Sequence, residues 1–182
     1  MFRHCFPVLM GTLLLTCALM LPAHAGREGG EQMEITSQAF GQGGMIPPKY
    51  TCKGENVSPP IAWKKVPEGT KSITIICEDP DAPRGIWVHW VYYDIPPQAS
   101  PLPENIPAVE RPAVGGTQGI TDSLTIGYEG PCPPSGTHRY IFRVFAVDTE
   151  LNLPPGSTKE EVLASMEGHL LGMGELMGRF SK

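Results

Sequence analysis

The apolar run Ser72-Ile73-Thr74-Ile75-Ile76-Cys77-Glu78 ends in Asp79-Pro80-Asp81-Ala82-Pro83, and after Arg84-Gly85-Ile86 the chain resumes as Trp87-Val88-His89-Trp90. β-Branched apolar residues suit a covered strand. The two prolines, fixed in φ and lacking an N–H, forbid its continuation. The chain must turn here and return. Two carboxylates and an imidazole are thereby held by stiff proline turns at the end of a hydrophobic strand, a costly way to make a surface loop and a sensible way to floor a polar pocket.

The first residues read as an export signal. Arg3 precedes an apolar run from Phe6 to Leu21, and Ala23-His24-Ala25 supplies the small-x-small pattern of a cleavage site. Residues 1–25 are therefore expected to be removed, with a periplasmic or secreted product that is not an integral membrane protein. A retained anchor is the competing reading. A lipoprotein through Cys17 is disfavoured by Leu14-Leu15-Thr16, which lacks the small residue wanted before such a cysteine.

Fourteen basic residues stand against nineteen acidic ones, and losing Arg3 makes the remainder more acidic still. With no basic patch, nucleic acid is excluded as a partner. Cys52, Cys77 and Cys132 lie beyond the signal. Cys77, inside the apolar run, is expected as a buried free thiol. Cys52 and Cys132, in Gly/Pro-rich loops, are the candidate pair, and export permits a disulfide. No Cys-x-x-Cys or zinc-type spacing exists, so no metal or cofactor is expected.

Residues 26–33 read as a flexible lead-in and 34–182 as one domain, mostly β with a late helix. Strands are expected at Glu34–Phe40, Ile61–Trp63, Ser72–Glu78, Trp87–Ile95 and Arg139–Val147. Pro67-Glu68-Gly69-Thr70 reads as a hairpin-type turn. Residues 98–136 are turn-rich, with one short alternating stretch at Ser123–Ile126. A connection that long points to an ordered loop at a binding site. In Arg139–Val147 both alternating sets are largely apolar, which places that strand centrally, covered on both faces. Ser157, with Glu160 three places on, is expected to cap a helix along Val162, Met166, Leu170 and Met173, and Leu176–Phe180 to return as a short strand.

If the end of one strand meets the start of the other, Asp79, Asp81, His89, His138 and Tyr140 converge. Taken singly they are ordinary: Asp before Pro opens turns, a histidine on an aromatic strand is commonly a bonded core residue, Arg139 suits an ion pair, and His169 reads as structural. Together, two imidazoles, a tyrosine hydroxyl and N–H groups of the Gly130–Thr137 loop suit a small oxyanion, with carboxylates orienting the imidazoles and favouring their charged forms. No nucleophile is set up: Gly-x-Ser-x-Gly is missing, and Ser135 has only proximity to His138 in its favour.

These motifs, with Gly130-Pro131-Cys132-Pro133-Pro134 leading to His138-Arg139-Tyr140 and with Gly168-His169-Leu170-Leu171, resemble the bacterial branch of the phosphatidylethanolamine-binding protein family, also known through Raf kinase inhibitor protein. The resemblance runs from Glu34 to Phe180. It implies a large antiparallel sheet packed on a smaller one, with one C-terminal helix and minor helical additions. It implies a pocket for phosphate or a phospho-head-group made by Asp79, Asp81, His89, His138 and Tyr140, with backbone from Gly130 and Pro131. It supports a Cys52–Cys132 bridge and a cis peptide at Asp79–Pro80. Animal members carry a longer insertion where this chain has Arg84-Gly85-Ile86, so kinase or lipid specificity does not carry over. The expected function is an exported, non-enzymatic binding or inhibitory module that modulates an envelope protein or enzyme. The alternative is a weak hydrolase of phosphate- or acyl-bearing small molecules with a histidine base.

Overall fold

The computed structural model describes residues 1–2 and 30–182. The export signal expected over residues 1–25 lies outside the described residues apart from the first two, as does the start of the lead-in. The strands are β1 (Glu31–Gln32), β2 (Glu34–Thr36), β3 (Ala62–Lys64), β4 (Ser72–Asp79), β5 (Trp87–Ile95), β6 (Thr117–Gln118), β7 (Thr137–Val147) and β8 (Leu170–Ser181), with one helix, α1 (Lys159–Met166), before β8. Short 3-10 turns occupy Pro48–Tyr50 and Pro97–Ala99.

A six-stranded sheet runs β1-β8-β7-β4-β5-β6, and β2 pairs with β3 in a two-stranded sheet. The large sheet is antiparallel, as expected, except at its edge, where the two-residue β1 joins β8 in parallel. Alternation along β4 and β7 divides the apolar residues between two faces. Ile73, Ile75 and Cys77 of β4 and Phe142, Val144 and Ala146 of β7 pack with Ile35, Trp63 and the loops, which sandwiches the large sheet against the small one. Ile76, Phe145 and Val147 meet Val162 and Met166 of α1 on the opposite face. The central, doubly covered position expected for β7 is found.

Several local expectations are corrected. Pro67–Thr70 does turn, Thr70 N–H donating to the Pro67 carbonyl, but it carries the chain from β3 in the small sheet to β4 in the large one and closes no hairpin. Glu31 and Gln32, inside the segment expected to fray, pair with Gly172 and Met173. The helix is capped one residue later, by a reciprocal box between Thr158 and Glu161, while the Ser157 hydroxyl turns back to the Pro154 carbonyl. Leu170 and Met173, expected on the helix, lie on β8. Among the described residues the cis peptide is at Ser100–Pro101, not at Asp79–Pro80.

Candidate functional site

Four side chains reach one cavity through strand parity and one irregularity. Asp79 shares its β4 face with Cys77 and Ile75, and the pairing of Glu78 with Ile141 sets it level with the start of β7. There His138 and Tyr140 share the face of Phe142. β5 would send His89 to the other side but for a register shift: Cys77 pairs with Trp90 and Glu78 with Val88, so His89 is an extra residue opposite the step. The bulge re-aims it. His89 and Trp90, though consecutive, serve the same side of the sheet, and the His89 ring meets Tyr140 edge-on with centroids 5.2 Å apart.

The resulting cavity, about 230 Å³, is lined by Asp79, His89, His138 and Tyr140, by Ala82, Pro83 and Trp87 from the β4–β5 connection, and by the 129–134 loop through Glu129, Cys132, Pro133 and Pro134. Each imidazole is fixed through Nδ1. That of His89 donates to the Glu129 carbonyl at 2.8 Å, and that of His138 is 2.7 Å from Oδ2 of Asp79. The other Asp79 oxygen accepts from the Asp81 N–H at 2.8 Å, so the aspartate is tied down at both ends. Burial holds His89 below the ordinary imidazole value, against the opposing pull of the Glu129 carbonyl and of the Glu129, Asp79 and Asp122 charges. The expectation that carboxylates favour its charged form is therefore overturned by desolvation. Burial, with the Asp79 carboxylate beside it, also pushes Tyr140 up, and its hydroxyl is fully enclosed.

Asp81, Gly130 and Pro131 are placed differently from the other four. Asp81 turns to Arg139, taking Nη2 at 2.6 Å, Nε at 2.9 Å and the backbone N–H at 2.9 Å, and the guanidinium holds its carboxyl down to about 2. Gly130 and Pro131 lie behind the lining. The Gly130 N–H donates to Asn56 Oδ1 at 2.8 Å, and the Pro131 carbonyl accepts from Cys52 N–H. A Cβ at Gly130 would stand 2.5 Å from Asn56 Oδ1 and 2.6 Å from the Tyr50 carbonyl, so only glycine lets the two loops touch. The expected ring of loop N–H donors is correspondingly thin: Pro131, Pro133 and Pro134 have none, and Gly130 spends its own on Asn56.

Two contributors escaped the sequence. Glu129 fixes the His89 tautomer through a carbonyl, a role that any residue type fills and no pattern announces. Asn56 holds the loop from the far side of the disulfide, in a left-handed conformation, φ 58°, that asparagine tolerates. The signal for it was a lone Asn in a turn-rich segment. Cys52 and Cys132 are bonded to each other, with Cα atoms 5.4 Å apart, and Cys77 is a buried free thiol. His169 is outside the site, on the α1–β8 connection, 2.7 Å from Asp148.

The family described as phosphatidylethanolamine-binding protein matches residues 36–181. An UPF0098 protein of Methanothermobacter thermautotrophicus is 52% identical over 150 residues, covering 82% of this chain and 99% of the relative. One from Aquifex aeolicus is 48% identical, covering 85% and 91%. Among solved structures, a PEBP homolog of Chlamydia trachomatis superposes with TM-score 0.77 at 40% identity, covering 84% of this chain and 99% of its own. E. coli YbcL, described as a new member of the mammalian PEBP family, gives 0.74 at 30%, covering 83% and 99%. A family match over most of the length, relatives this similar and the same fold lead to one conclusion: the chain belongs to the phosphatidylethanolamine-binding protein family.

Proposed function

We propose that this protein is a binding module whose cavity takes one small oxyanion of phosphate or phospho-head-group size. The observation that carries this reading is the convergence of two anchored imidazoles on a cavity of about 230 Å³. The Cys52–Cys132 bond suits an oxidising compartment, which with the leader-like residues 1–25 supports a periplasmic or secreted location. The loops around the mouth would then face an envelope protein or enzyme.

One observation favours a second reading. The Asp79–His138 hydrogen bond is the arrangement of a general-base pair, suited to activating water in a weak hydrolase. The cavity's own side chains offer little as nucleophiles: Cys132 is in the disulfide, and burial keeps the Tyr140 hydroxyl protonated.

The test is calorimetry with inorganic phosphate and phosphoethanolamine, alongside turnover assays on generic phosphoesters and esters. Binding without turnover, lost in His89→Ala and His138→Ala, is the outcome expected of a module. Turnover abolished by both histidine variants would replace it with the hydrolase.

A further inference from the structure

A second opening, of about 900 Å³, shares no lining residue with the cavity of Asp79 and His89. Strand parity builds it. In the small sheet Ile35 and Trp63 turn to the core, so the alternate residues Thr36, Ala62 and Lys64 face outward. Thr36 stands opposite Ala62 in the register. Two small side chains thus floor a trough, with residues 100–104 along its wall. Pro60, Pro101 and Pro103 line it with rigid rings.

Both edges of β3 are taken. β2 holds one. On the other, Ile61 and Leu102 exchange backbone hydrogen bonds, and the Ser100 hydroxyl bonds the N–H and the carbonyl of Trp63, each at 3.0 Å. An extended peptide therefore cannot add to β3 as a further strand. The acidic group of the trough is also committed, since Glu104 accepts from Lys49 and from the Tyr50 hydroxyl, both at 2.8 Å. The Trp63 indole N–H donates to the Pro97 carbonyl. Three lining side chains able to donate are left over. Those of Thr36, Gln38 and Lys64 make no hydrogen bond or ion pair among the described residues. Glu34 pairs with Lys64 in the ladder, but its carboxylate lies 3.7 Å from Lys65 Nζ instead.

Rigid apolar rings beside unspent donors, one of them a cation, ask for an apolar guest with an anionic end. We propose that this trough is a second binding site, for a small aromatic carboxylate. The ring of the guest packs on the proline faces, a pairing of ring types that recurs in recognition, and its carboxylate accepts from Lys64 and Gln38. The volume suits a guest of drug size. The prolines have little freedom to lose on holding it. An exposed ammonium adds modestly, so the ring supplies most of the affinity.

Ligand-observed NMR titration of the oxidised protein with 2-naphthoate tests this, carried to about 5 mM because a guest this small binds weakly. 2-Naphthamide controls for the charge and hexanoate for the ring. 2-Naphthoate should bind, and should keep its affinity in the presence of inorganic phosphate and in His89→Ala and His138→Ala. Ala62→Glu, which fills the floor and repels a carboxylate, should abolish binding. Lys64→Gln, at an exposed position, should weaken 2-naphthoate about twofold to fivefold and leave the amide unchanged. No binding of 2-naphthoate, its displacement by phosphate, or binding untouched by both Ala62→Glu and Lys64→Gln would overturn the site. An amide or a hexanoate that binds as tightly as 2-naphthoate would overturn the class of guest.

Discussion

Asp81 and Asp79 stand two residues apart and do opposite work. Asp79 is buried and spends both oxygens on its own neighbourhood. Asp81 is partly exposed and clamps Arg139 through three donors. That clamp joins the β4–β5 turn to the start of β7, so its worth is read in stability. Asp81→Asn should cost about 1 kcal/mol at neutral pH, the upper range for a well-aligned surface pair. The sign of its pH dependence follows from a carboxyl held down to about 2 in the folded protein. Its contribution is complete above the unfolded carboxylate value of about 3.9 and is lost as pH falls through about 2. Urea unfolding of wild type and variant should therefore converge between those limits; a constant gap would mean that the aspartate acts through something other than its charge.

At the scale of elements, α1 is held to the sheet by polar contacts as well as by Val162 and Met166. The buried Glu78 of β4 accepts from Lys159 of the helix at 2.9 Å and is also bonded to Arg143 of β7. The box between Thr158 and Glu161 closes the helix start. Thr158→Ala should lower stability by about 1 kcal/mol while leaving phosphate affinity unchanged, since α1 covers the face opposite the cavity; thermal unfolding and calorimetry on one sample read both. The end of this helix is also where the sequence misled. Leu170 and Met173 continue the helical spacing of Val162 and Met166, but they lie on β8, whose other face presents Gly172, Gly174 and Gly178. A Cβ at Gly174 would stand 2.4 Å from the Met33 carbonyl, and one at Gly178 would stand 2.5 Å from Ile46. The glycines are there because other segments lie against the strand, a tertiary demand that erases the local strand signal. The apolar strands β4, β5 and β7 were legible because their period or composition is dictated by burial. So was the meeting of Asp79, His89, His138 and Tyr140, because proline turns mark the strand ends. The bulge that aims His89 was not, since it depends on the register between two strands and leaves no mark on either alone.

For the whole molecule, the Cys52–Cys132 bond links segments 80 residues apart in sequence and sits at the cavity wall through Cys132. By loop-closure entropy a link of this span stabilises the fold by about 4 kcal/mol. Reduction should lower the unfolding free energy by up to that amount, measured in denaturant with and without dithiol. In a chain beginning at residue 30, alkylation after denaturation should modify Cys77 alone unless reductant is added. Three modified thiols without reductant would show the bridge unformed.

Glu78 and Asp79 are consecutive, and the strand's pleat sends one carboxylate to the helix and its neighbour to the cavity. Removing a single residue upstream in β4 would move each of them one place along the strand. Asp79 would then face the helix, Glu78 would fall into the core place of Cys77, and Pro80 would stand where the cavity has its carboxylate, so both halves of the protein depend on the same parity in one extended segment.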